Sequence, residues 1–100
     1  MAFEIVFDPQ AEDDVRRLRA HDRTKILDWM DRILAKQPTQ ISKSRIKRLR
    51  EIESPQYRLR VDDFRVFYDV RETEVYVFRV LEKSKADDYL RECGYEPQSN

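Results

Sequence analysis

One hundred residues suffice for one domain with a single modest core. Forty per cent are hydrophobic and forty per cent charged, and lysine plus arginine balance aspartate plus glutamate at zero net charge. That composition suits a soluble globular protein and excludes one that coats nucleic acid through bulk charge alone.

The longest apolar runs are a few residues, and the start MAFEIVFDPQ has neither a basic region nor a long apolar stretch. No signal peptide or membrane span is expected, and the expected location is the cytoplasm. Cys93 stands alone and cannot form an internal disulfide. With His21 as the sole histidine there is no Cys/His zinc cluster, so neither a metal nor another cofactor is expected.

In chain order, FEIVF at 3–7 is rich in strand formers, and the DPQ that follows supplies Asp8 as an N-cap and Pro9 at the first helical position. Ala11, Val15 and Leu18 share one face of a helix expected to end near His21, where Asp22 caps a second helix. Ile26, Met30, Ile33 and Leu34 form the stripe of that helix, with Leu27 and Trp29 at its margins and Pro38 as its stop. Residues 37–44 read as a loop, and RIKRLREIES after it reads either as a ragged edge strand or as an irregular basic arm.

YRLRV, FRVFYDV and VYVFRVLEK then read as three strands joined by hairpin turns at Asp62-Asp63 and within residues 71–74. Ser84 and Asp87 fit an S-x-x-D capping pattern ahead of a last helix bearing Ala86, Tyr89, Leu90 and Cys93 on one face, before Gly94. The expected fold class is α+β: a small, mostly antiparallel four-stranded sheet packed on an N-terminal helix hairpin, with a short C-terminal helix. Residues 1–93 form the single domain, and 94–100 a frayed tail.

Charge is unevenly spread. Five acids and no base fall between Glu4 and Asp14, whereas Ser42 to Arg60 holds seven bases and two acids. A two-residue turn at Asp62-Asp63 pairs Arg60 with Arg65 and Arg58 with Phe67. Tyr57, Leu59, Val61, Phe64, Val66 and Tyr68 then lie on one apolar face, and Arg58, Arg60, Arg65 and Phe67 on the other. Like charges opposite one another destabilise a sheet by up to about 1 kcal/mol. Either nearby acids, Asp62, Asp63 and Asp69, offset them, or an anionic ligand does: a phosphate held by arginine forks, with Phe67 stacking a base and the stretch Lys43–Arg50 (Lys47, Arg48 and Arg50 among them) extending the surface. The same register places Arg79 on the apolar face, which requires either an acidic partner on a helix or a slip in register.

The order of elements, and YRLRVDDFRVFYDV followed by VYVFRVLEKSKADDY, resemble the RelE/ParE toxin superfamily of bacterial type II toxin–antitoxin modules. The resemblance runs from Phe3 to about Tyr89. It implies, in its RelE branch, a concave basic site that cuts messenger RNA in the ribosomal A site, and a cognate antitoxin that wraps the toxin in a hetero-oligomer. By the same resemblance Arg65 binds the scissile phosphate, Tyr89 orients or stacks on the substrate, and Lys83 stands where an arginine protonates the leaving group. Arg58 and Arg60 replace two lysines, one of them the branch's general base. A guanidinium with pKa above roughly 12 cannot fill that role, so the base is open and Arg60, like Arg58, acts electrostatically on the phosphate. Two other outcomes fit the same residues: a ParE-like gyrase poison, and a degenerate toxin that only binds antitoxin. By spacing alone, Tyr89 suits core packing as well as substrate contact.

Overall fold

The computed structural model describes residues 2–95. Strand β1 (Glu4–Phe7) runs into helix α1 (Pro9–Arg17), then α2 (Ala20–Trp29), which widens into a π-helical turn over Met30–Leu34. There follow β2 (Ile46–Arg48), β3 (Tyr57–Val61), β4 (Phe64–Arg71), β5 (Glu74–Glu82) and α3 (Lys83–Glu92). The sheet order is β1-β5-β4-β3-β2, with β1 parallel to β5 and every other pair antiparallel. Among the described residues no helix is long and apolar enough to cross a membrane.

The α+β class is as expected, but the sheet has five strands rather than four. The basic arm contributes the fifth, a three-residue edge strand that pairs Ile46 with Leu59 and Lys47 with Arg58. The edge-strand alternative thus holds, and its brevity explains why the sequence left it open against an irregular arm. The β3–β4 register matches the expectation pair for pair, from Val61 with Phe64 to Tyr57 with Tyr68. Asp62 takes the left-handed conformation the tight turn demands, φ 51°, which aspartate tolerates better than most residues.

The helix hairpin covers one face of the sheet. Ala11, Ile26, Met30 and Leu34 pack with Leu59, Val61, Val66, Tyr68, Val75, Val77 and Val80, while Val15, Leu18, Ile33 and Trp29 border the cluster. Asp8 caps α1 as expected, accepting from the Gln10 amide at 3.0 Å. Three end signals fail. Helix α1 ends at Arg17 and α2 starts at Ala20, so Asp22 lies inside α2 and does not cap it; Arg23 instead donates to the Val15 and Leu18 carbonyls at 3.2 and 2.8 Å and satisfies the end of α1. The π turn ends four residues before Pro38, whose carbonyl accepts the Tyr68 hydroxyl at 2.7 Å. Helix α3 begins at Lys83, directly off β5, with Ser84 inside it and no side-chain cap.

On the opposite face a second cluster forms from Leu49, Phe67, Leu81, Ala86, Leu90 and Tyr95. Tyr95, assigned to the tail by the sequence, belongs to the domain; residues 96–100 of that tail lie outside the described residues. Both accounts of Arg79 hold at once. A bulge lets Tyr68 pair with Val77 and Phe67 with Arg79, and Asp14 of α1 accepts from Arg79 at 2.7 and 3.0 Å.

Candidate functional site

Cross-strand pairing arranges the cations in rows. Lys47 stands opposite Arg58, which stands opposite Phe67; Arg60 stands opposite Arg65 one step along. The Lys83 amide donates to the Asp63 carbonyl at 2.6 Å, drawing the start of α3 against the β3–β4 turn. Sheet and helix thus enclose an open cleft of about 1000 Å³, into which Lys47, Arg58, Arg65 and Lys83 project over a floor of Leu49, Phe67, Ala86, Leu90 and Tyr95.

Arg65 is 8% exposed. Its Nη1 donates to the Asp62 and Phe64 carbonyls at 2.9 and 3.0 Å, which fixes the fork and leaves Nε and Nη2 without partners among the described residues. Arg58 holds its Nε buried and unpartnered among the described residues. Burial, then the charges of Arg65 and Arg60, push the Arg58 guanidinium below its usual range. Burial and then Arg60 do the same to Arg65, opposed by Asp63 and Asp87. Both stay protonated at neutral pH, so the site holds desolvated, mutually repelling positive charge that a bound anion would relieve.

The acids expected to offset the arginines are mostly engaged elsewhere. Asp62 bonds Lys25, which holds its carboxyl below the usual range. Asp69 accepts from Ser54 Oγ and the Gln56 amide, both at 2.7 Å, and pairs with Arg71. Of the three only Asp63 lines the cleft, joined by Asp22, Glu82 and Asp87. The lining therefore carries four cations and four carboxylates. Yet none of Lys47, Arg58, Arg60, Arg65 and Lys83 has a carboxylate within 4.0 Å among the described residues, unlike Arg71 and Arg79.

The remaining sequence-predicted residues lie outside this group. Arg60 is exposed on β3 beside Arg65 but does not line the cleft, and Arg50 is exposed beyond it. Arg48 spends its Nη1 on the Leu49 and Gln56 carbonyls at 2.9 and 2.8 Å and sits over Tyr57. Phe67 is 0% exposed, so it forms the floor without offering a free face. Tyr89 packs behind it, ring centroids 5.1 Å apart, with the Arg79 guanidinium 5.7 Å from its ring; burial, then a hydrogen bond with Cys93, push its phenol up. Sequence reasoning missed Tyr95, Leu49, Glu82 and Asp87. Only Asp87 had a usable signal, four residues after Lys83 on one helical face.

The sequence model of the family "ParE toxin of type II toxin-antitoxin system, parDE" matches residues 5–87. No curated protein sequence matches the chain. Among solved structures, a free-state mutant of the Escherichia coli toxin RelE is similar over 94% of this chain and 96% of its own, at 24% identity and a TM-score of 0.69. The RelBE2 toxin–antitoxin complex from Mycobacterium tuberculosis aligns over 82% of this chain and 99% of that one, at 19% identity and 0.69. The archaeal RelE–RelB complex from Pyrococcus horikoshii aligns over 85% and 99%, at 20% identity and 0.68. Fold likeness to RelE structures and a sequence match spanning β1 to α3 agree: this chain belongs to the ParE toxin family of type II toxin–antitoxin systems, within the RelE/ParE superfamily.

Proposed function

We propose that this toxin is an endoribonuclease that cuts messenger RNA in the ribosomal A site and so inhibits translation in the cytoplasm. The observation that carries the reading is the convergence of Arg58, Arg65, Lys47 and Lys83 on one cleft with no carboxylate paired to any of them among the described residues. RNA supplies its own nucleophile, the 2′-OH, so the protein's tasks are alignment, charge neutralisation and proton transfer at the leaving group, for which no metal is needed. Arg65 and Arg58 hold the phosphate. Lys83 protonates the 5′-oxygen as the 2′-oxygen attacks phosphorus, leaving a 2′,3′-cyclic phosphate. Neither arginine takes the proton from the 2′-OH, which passes to solvent water as the P–O5′ bond breaks.

The partner in this reading is a cognate antitoxin whose acidic segment covers the cleft; the M. tuberculosis and P. horikoshii relatives are toxin–antitoxin complexes. Primer extension on programmed ribosomes tests the activity: cleavage within A-site codons is expected, and its absence with folded protein refutes the reading. Arg65→Ala is expected to lower the cleavage rate by ~100-fold, the usual scale for removing a group that stabilises transition-state charge. Growth inhibition falls with it while antitoxin binding stays, an outcome a binding-only toxin would not give.

A second reading, poisoning of DNA gyrase, draws on the balanced charge of the lining and on Arg58 and Arg60 standing where the RelE branch has two lysines. Trapped cleavage complexes in a gyrase supercoiling assay, with no message cleavage, would establish it.

A further inference from the structure

The end of α3 is built to return the chain to the cleft. Gly94, at φ +90°, lets the Gly94 amide donate to the Arg91 carbonyl at 3.0 Å and the Tyr95 amide to the Leu90 carbonyl at 2.9 Å. This pair of bonds is a Schellman turn, whose second residue characteristically packs back on the helix. Here it lands on the sheet: Tyr95 is 8% exposed, packs in the second cluster and lines the cleft beside Arg58.

Its hydroxyl makes no hydrogen bond among the described residues, and Arg58, whose Nε is buried without a partner among them, lines the same cleft. A phenol hydroxyl with no protein partner among the described residues and a guanidinium with a buried, unpartnered Nε, both lining one cleft over an apolar floor, suit an outside group with both an acceptor and a donor. A ribonucleotide offers that on its base edge and ribose, whereas a bare anion needs only the cation. Tyr89, by contrast, is held between Phe67 and Arg79 away from the cleft lining.

We propose that Tyr95 is the tyrosine that touches substrate: its hydroxyl, with Arg58, forms the far wall of the cleft and binds the nucleotide adjoining the phosphate held by Arg65. The proposal rests on the reading of this cleft as an RNA site and assigns part of its nucleotide selectivity to residues 94 and 95.

Tyr95→Phe removes the hydroxyl and keeps the packing; Tyr89→Phe is the comparator. The full-length variants are first matched to wild type in thermal unfolding. Cleavage on programmed ribosomes is followed by primer extension, and binding of an uncleavable all-2′-O-methyl single-stranded oligoribonucleotide by fluorescence anisotropy. Tyr95→Phe is expected to weaken oligonucleotide binding and cleavage by ~10-fold, the scale of one lost hydrogen bond to substrate, and to broaden the set of codons cut. Tyr89→Phe stays within about twofold of wild type. A Tyr95→Phe variant that binds and cuts with unchanged affinity and codon pattern overturns the proposal, as does a larger loss in Tyr89→Phe. If wild type binds the oligonucleotide without cutting, the nuclease reading alone fails and the affinities still decide for or against Tyr95. If wild type does neither, both fall.

Discussion

Arg79 and Arg65 are both largely withdrawn from solvent, and the fold treats them oppositely. Arg79 is claimed by Asp14, which also accepts the Val80 amide at 3.0 Å; the side chains are 27% and 13% exposed. Asp14→Ala therefore strands a guanidinium and a backbone amide, and urea unfolding is expected to show a loss of about 2 kcal/mol, below the 3–5 of a fully buried pair because water reaches this one. Arg65 has only backbone carbonyls, so its charge is available to a ligand. Tyr68 illustrates a third fate: burial, then Tyr57, push its phenol far up, and its hydroxyl must stay protonated to donate to Pro38. Below the unfolded phenol pKa of about 10, both folded and unfolded chains keep the proton and the contribution is complete. Above it the unfolded chain ionises while the native phenol does not, so stability is expected to fall by about 1.4 kcal/mol per pH unit for this group. Circular-dichroism melts between pH 9 and 11 (roughly the range around that pKa) check this, and Tyr68→Phe should flatten the decline.

Among the elements, α3 and its terminal turn decide the shape of the site. A Cβ at Gly94 would meet nothing within 4 Å, so the cost of Gly94→Ala is conformational rather than steric, about 1 kcal/mol for a left-handed alanine. Loosening the turn should weaken RNA binding in the same direction as Tyr95→Phe, read by the same anisotropy titration. The parts of the fold legible in the sequence were those with a strong period or a tight turn: the stripe Ile26, Met30, Leu34 and the β3–β4 register set by Asp62-Asp63 both stand. Edge strand β2 was legible only as one of two readings, because three residues cannot show alternation and its identity depends on Leu59 and Arg58 across the ladder. Asp22 failed as a cap because α2 starts two residues earlier, which puts Asp22 in its first turn, and Ser84 failed because α3 starts straight off β5 at Lys83, whose amide donates to Asp63. For the site, Arg65, Arg58, Lys47 and Lys83 could be named from pattern and resemblance. Tyr95 could not, since its position depends on a chain reversal at Gly94 whose direction the sequence does not state.

At the scale of the whole molecule, zero net charge and a cleft with equal numbers of cations and carboxylates set how far binding can depend on electrostatics. On the proposed RNA-cleaving role, a protein of this balance would gain little from long-range attraction to RNA and would rely on contacts made within the cleft. Each phosphate neutralised on a single strand contributes about −0.7 to the slope of log affinity against log salt. With four cations lining the cleft, and Arg58 and Arg65 the most desolvated, two to four phosphates are in reach. The slope for a single-stranded oligoribonucleotide is therefore expected between about −1.4 and −2.8. Lys47→Ala should make it shallower by about 0.7, since that side chain is exposed and meets phosphate as a point charge. A steeper slope, measured by anisotropy across a range of salt concentrations, would mean that RNA reaches beyond the cleft onto the outer arginines, Arg50 and Arg60. A slope near zero would mean that the four carboxylates cancel the cations, and that the cleft captures its ligand by shape alone.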